Sequence, residues 1–391
     1  MRTLNEKDII HIMTGATLMA GGGGGALADG MELIDTYKKN YPGREMKCDL
    51  YRADEMGEDQ YTIGLAVMGS PVEGGKVDAT GCIITAFEQS RSLKERTGRT
   101  ADYTLSMELG GFNTFTPILI SMIEGIPMVD ADCAGRAVPG LETAISNVNG
   151  LPTGPYVMGS IEGNAYVVVP KDPYDAAYCQ QMALPIVRMF RQNAGMAGWM
   201  YNRRELEECV PTGTIEICRR IGQVMEELSQ ARERAGLPFI GNVFEALNRA
   251  GVVEARTLAE NAVICNYCPQ PGVTGNNDIG LYDVKQSADA DEAYRIHYAN
   301  ESLVLGLVKD GAERTVMTVP DITAMYDART GQPLTNEDIT LAHEDGTLEE
   351  LRVTLGAIRV DAKWWKNEAK LMEYWSMYFE EIGYKGEIVK F

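Results

Sequence analysis

The sequence predicts an α/β N-terminal domain, a layered sheet with helices, followed by a C-terminal domain of helices and a small β-barrel-like module. Three observations predict it. Up to residue 170, helical spacing alternates with short apolar runs of strand type. From 172 to 251 helical spacing dominates, and from 251 to 330 strand patterns dominate. The domains are therefore drawn at 1–170 and 171–391. An apolar fraction of 45% is ordinary for a chain with a real core.

The elements follow in order. "NEKDIIHIMTGATLMA" (5–20) has helical spacing, with Asn5 or Thr3 as its cap. "ALADGMELIDTYKKNY" (26–41) is a second helix. "CDLYRA" (48–53) and "YTIGLAVMGS" (61–70) read as strands, and "CIITAFEQSRSLKER" (82–96) as a helix. "DYTLSMELGG" (102–111), "NTFTPILISMIEG" (113–125) and "IPMVDAD" (126–132) read as strand, helix and strand. That order predicts a parallel βαβ unit with a right-handed crossover. "NAYVVVP" (164–170) is a strand after a Gly- and Pro-rich approach to the edge of the layer. Helices are expected over 172–195, 214–236 (capped by Thr212 or Thr214) and 242–251. Strands are expected in "VVEARTLAENAVIC", "DIGLYDVKQ", "YRIHYANESLVLGLV", "RTVMTVPDITAMYDA" and "ELRVTLGAIRV". A terminal helix covers 361–383; its Trp364, Trp365, Tyr374, Trp375 and Tyr378 suit either an interface or a core.

Charge narrows the functional classes. Thirty-six basic against 56 acidic residues give a net charge of −20, which argues against a nucleic-acid partner because phosphates would be repelled. No leader pattern opens the chain and the apolar runs are short, so a cytoplasmic protein without a membrane partner is expected. The eight cysteines are then expected as thiols. "CNYC" (265–268) has metal-like spacing but no second pair completes it. With only three histidines, acid–base work falls to carboxylates.

Three loops could carry chemistry, each at a strand end or a helix start. The first is "MAGGGGGALADG" (19–30). Each glycine there sacrifices roughly 0.5–1 kcal/mol of helix or strand stability relative to Ala. A plain turn needs one or two, so Gly22, Gly23, Gly24 and Gly25 are expected to bring bare amides to an anion or oxyanion. No Gly-Lys-Ser/Thr follows, so this is not a P-loop. The second loop is "MELGGFN" (107–113), with Glu108 at a strand end and Asn113 either capping the helix or reaching the site. The third is "VDADCAGRAVP" (129–139). Asp130 and Asp132 share one strand face and could hold a cation or split their pKa values. Arg136 could pair with one of them or clamp a substrate carboxylate. Cys133 has no evident activating neighbour.

Together with "MGSP" (68–71), "PTGTIEICRRIG" (211–222), "YANESLVL" (298–305) and "TVPDITAMYDARTGQPL" (318–334), these motifs resemble the S-methyl-thiohydantoin desulfurase family. Those proteins are associated with hydantoinases and oxoprolinases. The resemblance spans nearly the whole chain. It implies the two-domain division, action on five-membered cyclic ureides or thioureides, and a hydantoinase or oxoprolinase partner. The chain departs from the family pattern at Cys133-Ala134 and at Val138-Pro139-Gly140.

The resulting expectation is a hydrolase in which Glu108 or Asp132 takes a proton from water attacking the ring carbon. Gly22 to Gly25 stabilise the developing anion, and Arg136 holds an anionic substituent. Asp130 and Asn113 complete the catalytic set. Ser70 joins the glycines in binding, as does Glu301 if the β module folds back over the pocket. A divalent metal on Asp130, Asp132 and Glu108 is allowed by their oxygen donors. A homo-oligomer is expected. The alternative is a non-catalytic ligand-binding or assembly subunit working beside a hydantoinase or oxoprolinase.

Overall fold

The computed structural model describes residues 1–69, 79–270 and 278–391. Its strands are β1 (Arg2–Asn5), β2 (Lys47–Tyr51), β3 (Tyr61–Gly69), β4 (Ala101–Ser106), β5 (Met128–Asp132), β6 (Tyr156–Gly159), β7 (Ala165–Val168) and β8 (Asn193–Gly198). They form a sheet in the order β1-β2-β5-β4-β3-β8-β6-β7. The centre, β2-β5-β4-β3, is parallel, and antiparallel strands flank it on both sides.

The longer helices are α1 (Glu6–Met19), α2 (Leu27–Asn40), α3 (Thr80–Ser90), α4 (Phe115–Glu124), α5 (Ala176–Met189), α6 (Thr214–Ala235), α7 (Asn336–Glu344) and α8 (Glu368–Glu381). Asn5 caps α1 in a capping box with Asp8. Helix α4 carries the chain from β4 to the parallel strand β5, as the βαβ reading requires. Helices α1 and α6 lie in close contact because glycines leave room for backbone. A Cβ at Gly15 would collide with the Cys218 carbonyl, and one at Gly222 with that of His11.

The second sheet contains β9 (Ala255–Gln270), β10 (Ile279–Lys285), β11 (Ala293–Ala299), β12 (Glu301–Lys309), β13 (Ala312–Thr318), β14 (Ile322–Asp327) and β15 (Val353–Ile358). Its order is β13-β12-β11-β10-β9-β15-β14, antiparallel throughout. The long strand β9 pairs with β15 along its first half and with β10 along its second. Positive φ at Asn261 and Asn266, with register shifts in both ladders, bends it and curls the sheet. The barrel-like module takes the form of a curled half-barrel, with no ladder joining β13 to β14 among the described residues.

Further expectations change, among them "RTVMTVPDITAMYDA", which is divided between β13 and β14. Residues 193–195 are strand β8 rather than helix, and β8 lies in the first sheet although it follows residue 170. A Cβ at Gly195 would strike the Cys82 carbonyl of α3, so the helix packs directly on bare strand backbone there, while β8 pairs with β3 and β6. "YRIHYANESLVLGLV" is two strands, turned at Asn300 with φ 56°. Helix α6 is capped by neither Thr212 nor Thr214. The Asp130 carboxylate reaches across from β5 and accepts the Ile215 and Glu216 amides at 2.9 and 3.1 Å.

The terminal aromatics are core. Trp364, Tyr374, Trp375 and Tyr378 are buried. Among the described residues, no helix is long and apolar enough to cross a membrane.

Candidate functional site

A cavity of about 600 Å³ is walled by both sheets and their loops. Gly22 to Gly25, Glu108, Asn113 and Glu301 all line it. Segments nearly 280 residues apart in sequence thus meet around one space.

The glycine run is a turn whose carbonyls are tied down. Gly21 and Gly22 accept the Ser302 and Asn336 amides of the second layer, each at 2.8 Å. Gly24 and Gly25 accept the Asn113 and Gly111 amides, each at 3.2 Å. The amides of Gly22 to Gly25 have no acceptor among the described residues. Glycine is required for two reasons. Gly21, Gly22, Gly24 and Gly25 have φ of 70°, 99°, 71° and 79°, which disfavours side chains. Gly23 lacks that need, but a Cβ there would collide with the Glu301 carboxylate.

Glu108 follows β4 at the cavity wall. Its Oε1 accepts from Asn113 Nδ2 at 2.6 Å and its Oε2 from the Val138 amide at 2.8 Å. Burial pushes its carboxyl up to about 7 despite these two hydrogen bonds. Asn113 is fixed in turn, because its Oδ1 accepts the Val67 amide of β3 at 2.9 Å. It therefore orients Glu108 as well as ending the loop.

Glu301 opens β12 and is 3% exposed. Its Oε2 has no hydrogen-bond partner. Burial first, then the neighbouring Glu108 charge, raise its pKa well above the ordinary value. The β module does fold back over the first layer and delivers Glu301 to the cavity.

Arg136 lies behind the glycine turn, outside the lining. Its Nη2 packs under Gly21, and the guanidinium donates to the carbonyls of Ala137 (2.9 Å), Pro320 (2.9 Å), Asp321 (3.1 Å) and Ser302 (3.4 Å). The expectation that it holds a substrate anion is corrected: these carbonyls occupy it, and it bolts the two layers together. Asp130 and Asp132 do share a face, as their alternation predicts, but it is the face toward α6 rather than the cavity. Asp130 caps α6; Asp132 Oδ1 accepts the Ala134 amide at 2.8 Å and the Gly135 amide. Burial raises both to about 6. Among the described residues no group of three or more His, Cys, Asp or Glu is arranged for a metal, so the Asp130–Asp132–Glu108 set does not assemble. The same holds for Cys265 and Cys268 on β9. Cys133 is buried and its thiol is pushed well up by burial. Ser70 falls outside the described residues.

The sequence reading missed several participants. Asn336, at the start of α7, holds Gly22 and accepts the Tyr282 hydroxyl at 2.9 Å. The signal was present: Thr335 and Asp338 form a capping box just there. Glu142 accepts the Tyr378 hydroxyl at 2.8 Å behind Gly140, and burial raises its carboxyl to about 7. Nothing in "GLET" announces that.

Fold and site together define a two-layer protein: a mixed α/β sheet and a half-barrel enclosing a carboxyl-lined cavity against a polyglycine turn. The chain belongs to the S-Me-THD-like family, whose N-terminal domain model matches residues 7–170 and whose C-terminal domain model matches 175–372. The X-ray crystal structure of a structural-genomics target from Chromobacterium violaceum shares the fold, with a TM-score of 0.82 at 21% identity over 100% of both chains. No curated protein matches the chain.

Proposed function

We propose that the chain hydrolyses a five-membered cyclic ureide or thioureide, removing sulfur from a thiohydantoin or opening a hydantoin-like ring. The observation that carries this reading is the one cavity lined together by Gly22 to Gly25, whose amides have no acceptor among the described residues, and by Glu108 and Glu301. Family membership supports the substrate class.

Glu108, raised to about 7, is partly ionised at neutral pH and basic enough to take a proton from water. The water oxygen bonds to the ring carbon, and the glycine amides hold the charge that develops on its exocyclic oxygen or sulfur. Glu301 in its protonated form gives its proton to the leaving sulfur or nitrogen as that bond breaks. Two carboxyls with separated pKa values divide the base and acid roles. The rate should therefore rise through about pH 7 as Glu108 ionises and fall at higher pH as Glu301 loses its proton.

Purified protein is incubated with S-methylated thiohydantoin, thiohydantoin and hydantoin in ¹⁸O-water, and products are followed by mass. Incorporated label with released thiol or ring opening, abolished by Glu108→Gln, supports the enzyme. Binding without turnover overturns it and leaves a ligand-binding or assembly subunit beside a hydantoinase or oxoprolinase.

A further inference from the structure

The first sheet ends on an unguarded strand. β7 closes the order β8-β6-β7 and, among the described residues, pairs with β6 alone. The turn between them fixes which backbone groups stay open. The Ser160 amide donates to the Asn164 carbonyl at 2.7 Å, and bonded pairs recur at alternate positions of an antiparallel ladder. Tyr166 and Val168 therefore hydrogen-bond to β6, and the peptide groups of Ala165 and Val167 point to the open side. Edges are ordinarily guarded by charged side chains, as β1 is by Arg2 and β13 by Glu313 and Arg314. From Gly163 to Pro170 there is no charged residue.

A second observation is the apolar surface beside this edge. Of the eleven large hydrophobic side chains exposed among the described residues, six lie between 166 and 189. Tyr166, Val167 and Val169 are on or just past β7, Tyr174 precedes α5, and Tyr178 and Met189 lie on α5. Residues 178 and 189 are about three helical turns apart and so share one face. The Tyr166 ring rests 5.8 Å from that of Phe190 at the end of α5, which joins the strand's row to the helix's. Scattered apolar residues on a surface are ordinary; a grouped set marks an interaction surface.

We infer that a second copy of the chain docks on this edge, the two β7 strands pairing antiparallel about a two-fold axis so that one sheet runs through both molecules. Three features favour a copy over an unrelated strand. A two-fold axis sets Ala165 opposite Val167 of the second copy and the reverse, so the open donors and acceptors of both meet, with the two Tyr166 side chains adjacent on the axis. The same register brings Glu162, at one end of the strand, beside Lys171 at the other end in the second copy, giving two opposite-charge pairs. The ion pair of Glu162 with Arg191 is long at 3.9 Å and exposed, and such pairs contribute little. Asp172, the next residue, is turned into its own loop, where it accepts the Tyr174 amide at 2.9 Å. Finally, each chain carries a net charge of −20, so two copies approach most easily across surface that is poor in charge, as residues 163–170 are.

Sedimentation equilibrium on the full chain measures self-association over a range of concentrations. The expected result is a reversible dimer. Tyr166→Glu should weaken it by about 100-fold, because like charges then face each other on the axis. Tyr166→Phe keeps the ring and should leave association within a few-fold. Glu162→Lys and Lys171→Glu should each weaken the dimer by roughly tenfold, through two pairs per dimer, and the double variant should restore it. Within one chain the two residues lie at opposite ends of β7, so restoration reports a contact between copies. Both are exposed, and their reversals decide the matter even where Tyr166→Glu fails to fold. A wild-type chain that stays single at every concentration overturns the inference and leaves the edge to a different protein. A dimer indifferent to all of these substitutions overturns it as well and moves the contact elsewhere.

Discussion

Two turns leave neighbouring parallel strands, each with a buried carboxyl at or beside it, and the two carboxyls are held differently. Met107–Asn113 leaves β4 and Cys133–Pro139 leaves β5, with Ser106 and Asp132 in register. Glu108 sits in the first turn and Asp132 ends β5 just ahead of the second, and both are buried carboxyls raised by desolvation. Glu108 is gripped by one side-chain amide and one backbone amide at the edge of the cavity. Asp132 is folded into its own loop by two backbone amides, with no exposure at all. Burial and a raised pKa are common to both, so neither distinguishes them. What separates the two is whether an open space adjoins the carboxyl.

The sharpest way to break this comparison is the paired substitution. Glu108→Gln should lower turnover by about 10²–10⁴-fold with little change in melting temperature. Asp132→Asn should lower the melting temperature and leave turnover within a few-fold. The reverse pattern would reassign the base to β5. Next in size is Gly23→Ala, whose new methyl displaces the Glu301 carboxyl. A loss of about 10²-fold in kcat/KM is expected, since small displacements of reacting groups have such effects. Retained activity would mean that Glu301 plays no part.

Asp130→Ala removes the carboxylate that caps α6 and should destabilise the fold by about 1–2 kcal/mol in denaturant titration. Turnover should persist in the folded fraction. The smallest effect concerns pH. Glu108 and Glu142 are raised to about 7, and Asp130 and Asp132 to about 6. Raised carboxyls bind more protons in the folded than in the unfolded state. Their contribution is therefore full below the ordinary carboxylate range and is lost as pH rises through 6 to 7. Melting temperature should fall between pH 5 and pH 8, and Glu142→Gln should flatten that fall. A rise over the same range would refute the assignment.

Much of this was legible in advance. Asn5 and Asp8 announce the start of α1, and strand, helix and strand over 102–132 announce the parallel unit. The glycine run announces a backbone without side chains, and positive φ at four of its positions bears this out. What escaped was mostly long-range. The capping of α6 by Asp130 joins residues 85 apart, and β8 takes its place by pairing with β3, about 130 residues earlier in the chain. Arg136 looked like a substrate clamp because nothing local shows that carbonyls at 302, 320 and 321 will surround it.

By itself, then, the sequence determined the succession of elements, the need for bare backbone at 21–25 and the family to which the chain belongs. Periodicity, capping and glycine chemistry act over a few residues, so they can be read along the chain. Only the tertiary structure decided which carboxyls face the cavity and that Glu301 joins Glu108 there. A carboxylate's role is set by its solvation and its partners, and both are supplied by segments far removed in sequence.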